Sequence, residues 1–330
     1  MRIKLFSALL TVLSLITVTP AYADNVRIAL VVKALGIGFF EAANKGAQEA
    51  AKELGDVEVI YTGPTTTTAE GQIEVITSLI AQHVDAIAIS ANDQDALAPI
   101  LKRAMQRGIK VISWDSGVAP EGRLVHLNPS SNELIGRMNV KLAADALKAK
   151  GVSGGEWAIL SASPTATNQN IWIEEMKKAS PDFPQLKLVD TVYGDDLADK
   201  SYREAVALIR NHPDLDVIVA PTTVGILAAA QAVSDQGLIG KVYVTGLGLP
   251  SELAGHVESG AIHSFAIWNP IDLGYSATYI AYNLVKGNAT KTEVGMGRMG
   301  TAKLSKDGSA AMSDPFIYDA SNVKEFASIF

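Results

Sequence analysis

From residue 26 onward, short apolar runs alternate with stretches in which apolar residues recur at helical spacing. The runs at 26–32 (VRIALVV), 57–61 (VEVIY), 85–90 (DAIAIS) and 110–115 (KVISWD) have the length and composition of strands. Between them Ala43, Ala47, Ala50 and Leu54 share one helical face, as do Ile73, Ile76 and Ile80. The runs are apolar throughout rather than alternating, as a parallel sheet covered on both faces requires. Strand and helix alternating through short connections predict an α/β fold.

The pattern then repeats. Further strands read at 156–161, 187–193, 215–220, 241–246 and 262–268. Strand starts at 26, 57, 85 and 110 are echoed at nearly the same intervals by 156, 187, 215 and 241, which predicts two lobes of one build. Pro129 ends an extended segment, and Ser130 with Glu133 forms a capping box for the next helix. Pro270 interrupts another strand before a helix running to about Lys286, and a last crossing is expected around 295–300. The expected division is a first lobe of 24–127 plus 270–298 and a second of 130–268 plus 302–330. Thin crossings near 128–130, 268–270 and 298–302 would make a three-segment hinge.

The first 23 residues stand outside this pattern. Arg2 and Lys4 precede an apolar run from Leu5 to Val18, and Ala21-Tyr22-Ala23 forms a small-residue cleavage site, so a secretory leader cut after Ala23 is expected. No other segment is apolar for long enough to span a bilayer, and a soluble periplasmic protein follows. The chain has no cysteine, hence no disulfide, thiolate metal site or cysteine nucleophile. Its net charge is −7 and becomes more negative once Arg2 and Lys4 are removed, which argues against nucleic acid and anionic lipid as partners.

Open parallel sheets bind ligands beyond the carboxyl ends of their strands. The residues there are Lys33, Phe39 and Phe40 after the first strand, Ser90 to Asp93 after the third, and Trp114-Asp115 at the end of the fourth. The second half supplies Ser161 to Gln169, Pro221-Thr222-Thr223, Leu247-Gly248 and Trp268-Asn269. Such a mixture of amides, hydroxyls, few charges and aromatic rings suits a sugar, whose hydroxyls donate and accept while its C–H faces pack on rings. Asp115 reads as an acceptor for ligand hydroxyls; the alternative is a cap of the following turn. Lys33 reads as a ligand contact or as a snorkelling surface lysine. Trp114 reads as packing or as stacking, whereas Trp157 and Trp172 fall within strand and helix patterns and are assigned to the core.

Several motifs lead nowhere. Gly36-Ile-Gly38 has Glu41 at the third glycine position of a dinucleotide fingerprint, and Gly295, Gly297 and Gly300 are expected to lack a preceding strand and a following helix. Asp195, Asp196 and Asp199 are read as a solvated acidic loop with a helix cap, and the scattered histidines have no metal-ligand spacing. No catalytic residue, metal or cofactor is expected.

With these residues laid out, the chain resembles the periplasmic sugar-binding proteins of ATP-driven importers, of the ribose-binding type. Within that group it most resembles the rhamnose-binding proteins, through 31–50 (VVKALGIGFFEAANKGAQEA), 61–76, 110–123, 167–173 (TNQNIWI) and 219–225 (VAPTTVG). It is also similar to the autoinducer-2 receptors. The resemblance implies two Rossmann-like doubly wound lobes of the type I periplasmic binding protein build, a monomer working with an inner-membrane ABC permease. It places ligand contacts at Lys33, Asp115, Gln169 and Pro221. Where the autoinducer-2 receptors have an aspartate and an alanine, this chain has Asn168 and Thr223. Losing an acceptor-only carboxylate changes which hydroxyls can be satisfied, and an unpaired buried polar group costs about 1–3 kcal/mol. The departures favour a pyranose such as L-rhamnose over autoinducer-2. The expected contact set is Lys33, Phe39, Phe40, Asp115, Asn168, Gln169, Pro221, Thr223, Trp268 and Asn269.

Overall fold

A computed structural model describes residues 25–330, so the leader expected over 1–23 lies outside the described residues. The chain begins with β1 (Val26–Val31), α1 (Gly38–Leu54), β2 (Val57–Thr62), α2 (Ala69–Ala81), β3 (Ala86–Ile89), α3 (Gln94–Gln106), β4 (Lys110–Trp114) and β5 (Val125–Asn128). It continues through α4 (Asn132–Lys150), β6 (Gly155–Ser161), α5 (Thr167–Ala179), β7 (Leu186–Tyr193), α6 (Ala198–Asn211), β8 (Leu215–Ala220), α7 (Thr223–Asp235), β9 (Tyr243–Gly246), α8 (Pro250–Ser259) and β10 (Ser264–Ile267). It ends with α9 (Pro270–Lys286), β11 (Glu293–Gly295), β12 (Thr301–Lys303), β13 (Ser309–Ala311), β14 (Phe316–Asp319) and α10 (Val323–Phe326). Every strand read from an apolar run is present, within two residues at each end.

Two main sheets form the two lobes. The first is parallel with order β13-β5-β4-β3-β1-β2; the second is parallel with order β7-β6-β8-β9. Parallel bridges at Val244–Ile262 and Leu247–Ala266 bring β10 beside β9, and β14 pairs antiparallel with β10. β1 demonstrates why the runs are apolar throughout. Ile28 and Leu30 join a core with Phe40 and Ala43 of α1 and Leu273 and Ala277 of α9, while Ala29 and Val31 pack on the opposite face with Ile76 of α2 and Leu97 of α3.

The α1–α9 crossing is closed by two glycines. A Cβ on Gly46 would lie 1.8 Å from the carbonyl oxygen of Ile271, and one on Gly274 would lie 1.9 Å from that of Ala43. Each helix therefore admits the other's backbone where any side chain would collide.

Three details correct the sequence reading. α4 is capped by Ser131, whose Oγ accepts from the Leu134 N–H, while the buried Ser130 hydroxyl meets no partner among the described residues. The late glycine motif does follow a short strand, but it turns the antiparallel hairpin β11–β12. The last crossing is not at 298–302. β13 pairs with His126 to Asn128 of β5, and Arg123 donates to the carbonyl and carboxylate of Asp307 at 2.9 and 3.1 Å, so the chain stays with the first sheet through Ala311. It reaches β14, beside β10, only after that. β13 is too short and too polar to register as an apolar run, so only pairing defines it. Among the described residues no helix is long and apolar enough to cross a membrane.

Candidate functional site

Both sheets reverse their winding direction, between β1 and β3 in the first and between β6 and β8 in the second. Loops from adjacent strands diverge at such a point and leave a crevice beyond the carboxyl ends. The two crevices face each other. The cavity between them, counted with the solvent it opens to, holds about 400 Å³ of space and is lined from the first lobe by Lys33, Ile37, Phe39, Phe40 and Asp115. The second lobe contributes Asn168, Gln169 and Trp172 from α5, Asp196 from the loop after β7, and Pro221 to Thr223 and Leu247 from the ends of β8 and β9; Ile267 and Trp268 close it at the crossing into α9.

Lys33 is only 2 % exposed, which removes the snorkelling alternative. Its ammonium donates across the cleft to Asn168 Oδ1 at 2.8 Å and to Gln169 Oε1 at 3.0 Å. Asp115 accepts from Ser90 Oγ at 2.7 Å and from Asn168 Nδ2 at 3.1 Å, and its carboxylate caps no following turn. Its backbone has φ of +58°, a left-handed conformation that Asp tolerates better than most residues. Burial pushes its carboxyl above the ordinary range, against the pull of Lys33 and Ser90.

A buried amide network holds these groups in place. Gln72 of α2 donates to the carbonyls of Val32 at 3.0 Å and Ser90 at 2.8 Å and accepts from the Asn92 N–H, while Asn92 donates to the carbonyl of Lys33 at 2.9 Å. The backbones that present Lys33 and Ser90 are thus tied to each other.

The aromatic residues make a continuous edge-to-face row. Trp114 meets Phe40 at 5.8 Å between ring centres, Phe40 meets Phe39 at 5.2 Å, Phe39 meets Trp268 at 6.1 Å and Trp268 meets Trp172 at 5.6 Å. Trp114 and Trp157 belong to the core. Trp172 is a core residue as expected, and it also reaches the cavity, because one face of α5 packs inward while its first turn forms the cleft wall.

Of the expected contact residues, Asn269 stands apart. Its Oδ1 accepts from the N–H groups of Ile271 and Asp272, making it the N-cap of α9, and it does not line the cavity. An Asn before a Pro-initiated helix carries that signal in sequence. Asp196 was missed in the opposite direction. Rather than facing solvent with Asp195 and Asp199, its carboxylate lies in the cavity wall and accepts from the Thr222 hydroxyl. Among the described residues no group of three or more His, Cys, Asp or Glu is placed to hold a metal.

A family model described as periplasmic binding protein domain matches residues 28–289. The D-ribose/D-allose-binding protein of Pseudomonas aeruginosa is 30 % identical over 68 % of this chain and 70 % of its own length. The D-allose-binding periplasmic protein of Escherichia coli is 28 % identical over 82 % and 88 %. Among solved structures, an ABC transporter solute-binding protein from Clostridium phytofermentas with bound L-rhamnose superposes with a TM-score of 0.87 at 36 % identity, covering 94 % of this chain and 100 % of that one. LsrB from Clostridium saccharobutylicum in complex with AI-2 superposes with a TM-score of 0.87 at 26 % identity, covering 91 % and 99 %.

Proposed function

This chain belongs to the periplasmic binding protein domain family, and from that premise we propose that its cleft takes one molecule of a small neutral sugar, L-rhamnose. It is a non-catalytic periplasmic solute-binding protein of a sugar ABC transporter. Its partners are accordingly a sugar and the cognate permease.

The observation that carries the ligand reading is the bridge of Lys33, Asn168 and Asp115 across the cleft. These three groups supply donors and acceptors from both lobes within one small cavity, and the aromatic row beside them offers apolar faces. Asp115, Lys33, Asn168, Gln169 and Thr223 would bond ligand hydroxyls. Phe39, Phe40 and Trp268 would cover the C–H faces and the methyl group of a 6-deoxy sugar, and Pro221 would shape the wall. A ligand touching both lobes favours the closed arrangement by its differential contacts. The three crossings, after Asn128, between Ile267 and Pro270 and between Ala311 and Phe316, would form the hinge of a type I binding protein. A monomer suffices for this task.

Autoinducer-2 is the second reading, favoured by the likeness to the AI-2 complex and by Lys33, Asp115, Gln169 and Pro221. Titration calorimetry on refolded, ligand-stripped protein separates the two. Tight L-rhamnose binding supports the proposal; tight autoinducer-2 binding with silence toward rhamnose replaces it with the second reading.

A further inference from the structure

Asp196 lies where the central cavity opens into an apolar groove at the cleft mouth, and it lines both. The loop that carries it is built at a cost. Asp195 and Asp196 both have positive φ, at +55° and +52°, a conformation disfavoured for side-chain-bearing residues and retained where surrounding contacts impose it. Those contacts come from both lobes. The Asp195 N–H donates to the Ala162 carbonyl at 2.9 Å, Lys200 reaches Asp195 Oδ2 at 2.6 Å, and Thr67 of the first lobe donates to the Asp195 carbonyl at 2.5 Å. One oxygen of Asp196 accepts from Thr222; its other oxygen meets no donor among the described residues.

The charge of the cavity follows. Among the described residues Lys33 is the single cation in its lining, against the two carboxylates Asp115 and Asp196 approaching from opposite lobes. Burial raises both carboxyls, Lys33 pulls both down, and the charge of Asp196 pushes Asp115 further up from across the cleft.

We infer that Asp196 is a second ligand-reading carboxylate, and that with Asp115 it confines the site to neutral, hydroxyl-rich ligands and rejects sugar acids. This rests on the sugar reading above. A hydroxyl donating to the open oxygen of Asp196 completes a group the protein leaves half-satisfied. An anionic sugar meets two carboxylates and one ammonium, and like charges in a desolvated site are strongly disfavoured.

The test uses Asp196→Asn, since Asn tolerates the left-handed backbone and keeps an acceptor for Thr222. L-rhamnose, its monodeoxy analogues, D-ribose, D-allose and D-galacturonate are titrated calorimetrically into the refolded full-length mature protein and the variant. The variant is expected to lose roughly 10- to 100-fold in affinity for the best neutral sugar. The penalty for removing one particular ligand hydroxyl should shrink in the variant, and galacturonate should gain relative to neutral sugars. A merely structural role for Asp196 would move neither ratio. Unchanged affinities and ratios, or wild-type protein preferring galacturonate, overturn the inference while leaving a sugar-binding cleft intact. Wild-type silence toward every neutral sugar overturns the proposed function, and the inference with it.

Discussion

Asn168 donates its amide to Asp115 across the cleft at 3.1 Å while its amide oxygen accepts from Lys33 at 2.8 Å. One residue therefore joins the acid of the first lobe to the base of the first lobe through the second lobe. An aspartate in its place lacks the N–H that meets Asp115. Replacing Asn168 by Ala leaves two buried charged groups short of a partner, at about 1–3 kcal/mol. Calorimetry on Asn168→Ala should register a 10- to 100-fold loss of sugar affinity; undiminished affinity would remove the bridge from the binding account.

Asp115 should show opposite effects on binding and on stability. Burial raises its folded carboxyl pKa above the unfolded value, so its stabilising contribution is fully present below the unfolded pKa and is lost as pH rises through the folded one. Ionising this buried carboxyl therefore opposes folding. Asp115→Asn should therefore melt higher than wild type at pH 7 without ligand, with the gain disappearing in acid, while losing at least tenfold in sugar affinity. A lower melting temperature at pH 7 would contradict this sign.

His126 should govern part of the acid sensitivity. It is buried, bonded to Ser113 Oγ and Asn128 Oδ1 at 3.0 Å each, and faces the charges of Arg123 and Asp307. Burial and then Arg123 push it down to about 4, so its neutral form stabilises the fold fully above its unfolded pKa near 6.5. That contribution is lost as pH falls through about 4 and amounts to about 3 kcal/mol by linkage. Urea unfolding at pH 7 and pH 4 should reveal a smaller acid loss in His126→Gln than in wild type.

The α1–α9 crossing should be intolerant of a single methyl group. Gly46→Ala and Gly274→Ala each drive a Cβ into a carbonyl oxygen of the facing helix, and the two backbones must separate. A loss of about 2–3 kcal/mol in chemical unfolding is expected for each. Gly55→Ala, whose Cβ would meet nothing within 4 Å, should cost less and report only its left-handed φ of +81°.

Two of the four tryptophans should report ligand. All four are packed in the core, but Trp172 and Trp268 also line the cavity, which Trp114 and Trp157 do not reach. Sugar-induced change in tryptophan emission should survive Trp157→Phe and diminish in Trp172→Phe; the reverse pattern would place the ligand elsewhere.

What the sequence determined by itself follows from local chemistry. An apolar run such as 26–32 can be stable only with both faces covered, so β1 and its counterparts, their alternation with helices and the two-lobe rhythm were legible without a fold in hand. Lys33 and Asp115 were legible for the same reason: a charged residue at the end of a buried strand has few places to go. Tertiary structure decided what depends on partners distant in the chain. Asn269, expected to be a cleft contact, was assigned as a cap only once α9 was seen to start on it. Asp196 looked like one of three solvated acids until Thr222 held its carboxylate in the cavity wall. β13 gained its identity only from β5, more than 180 residues earlier. Backbone pairing and side-chain enclosure are long-range interactions, and a short polar segment carries no local pattern that records them.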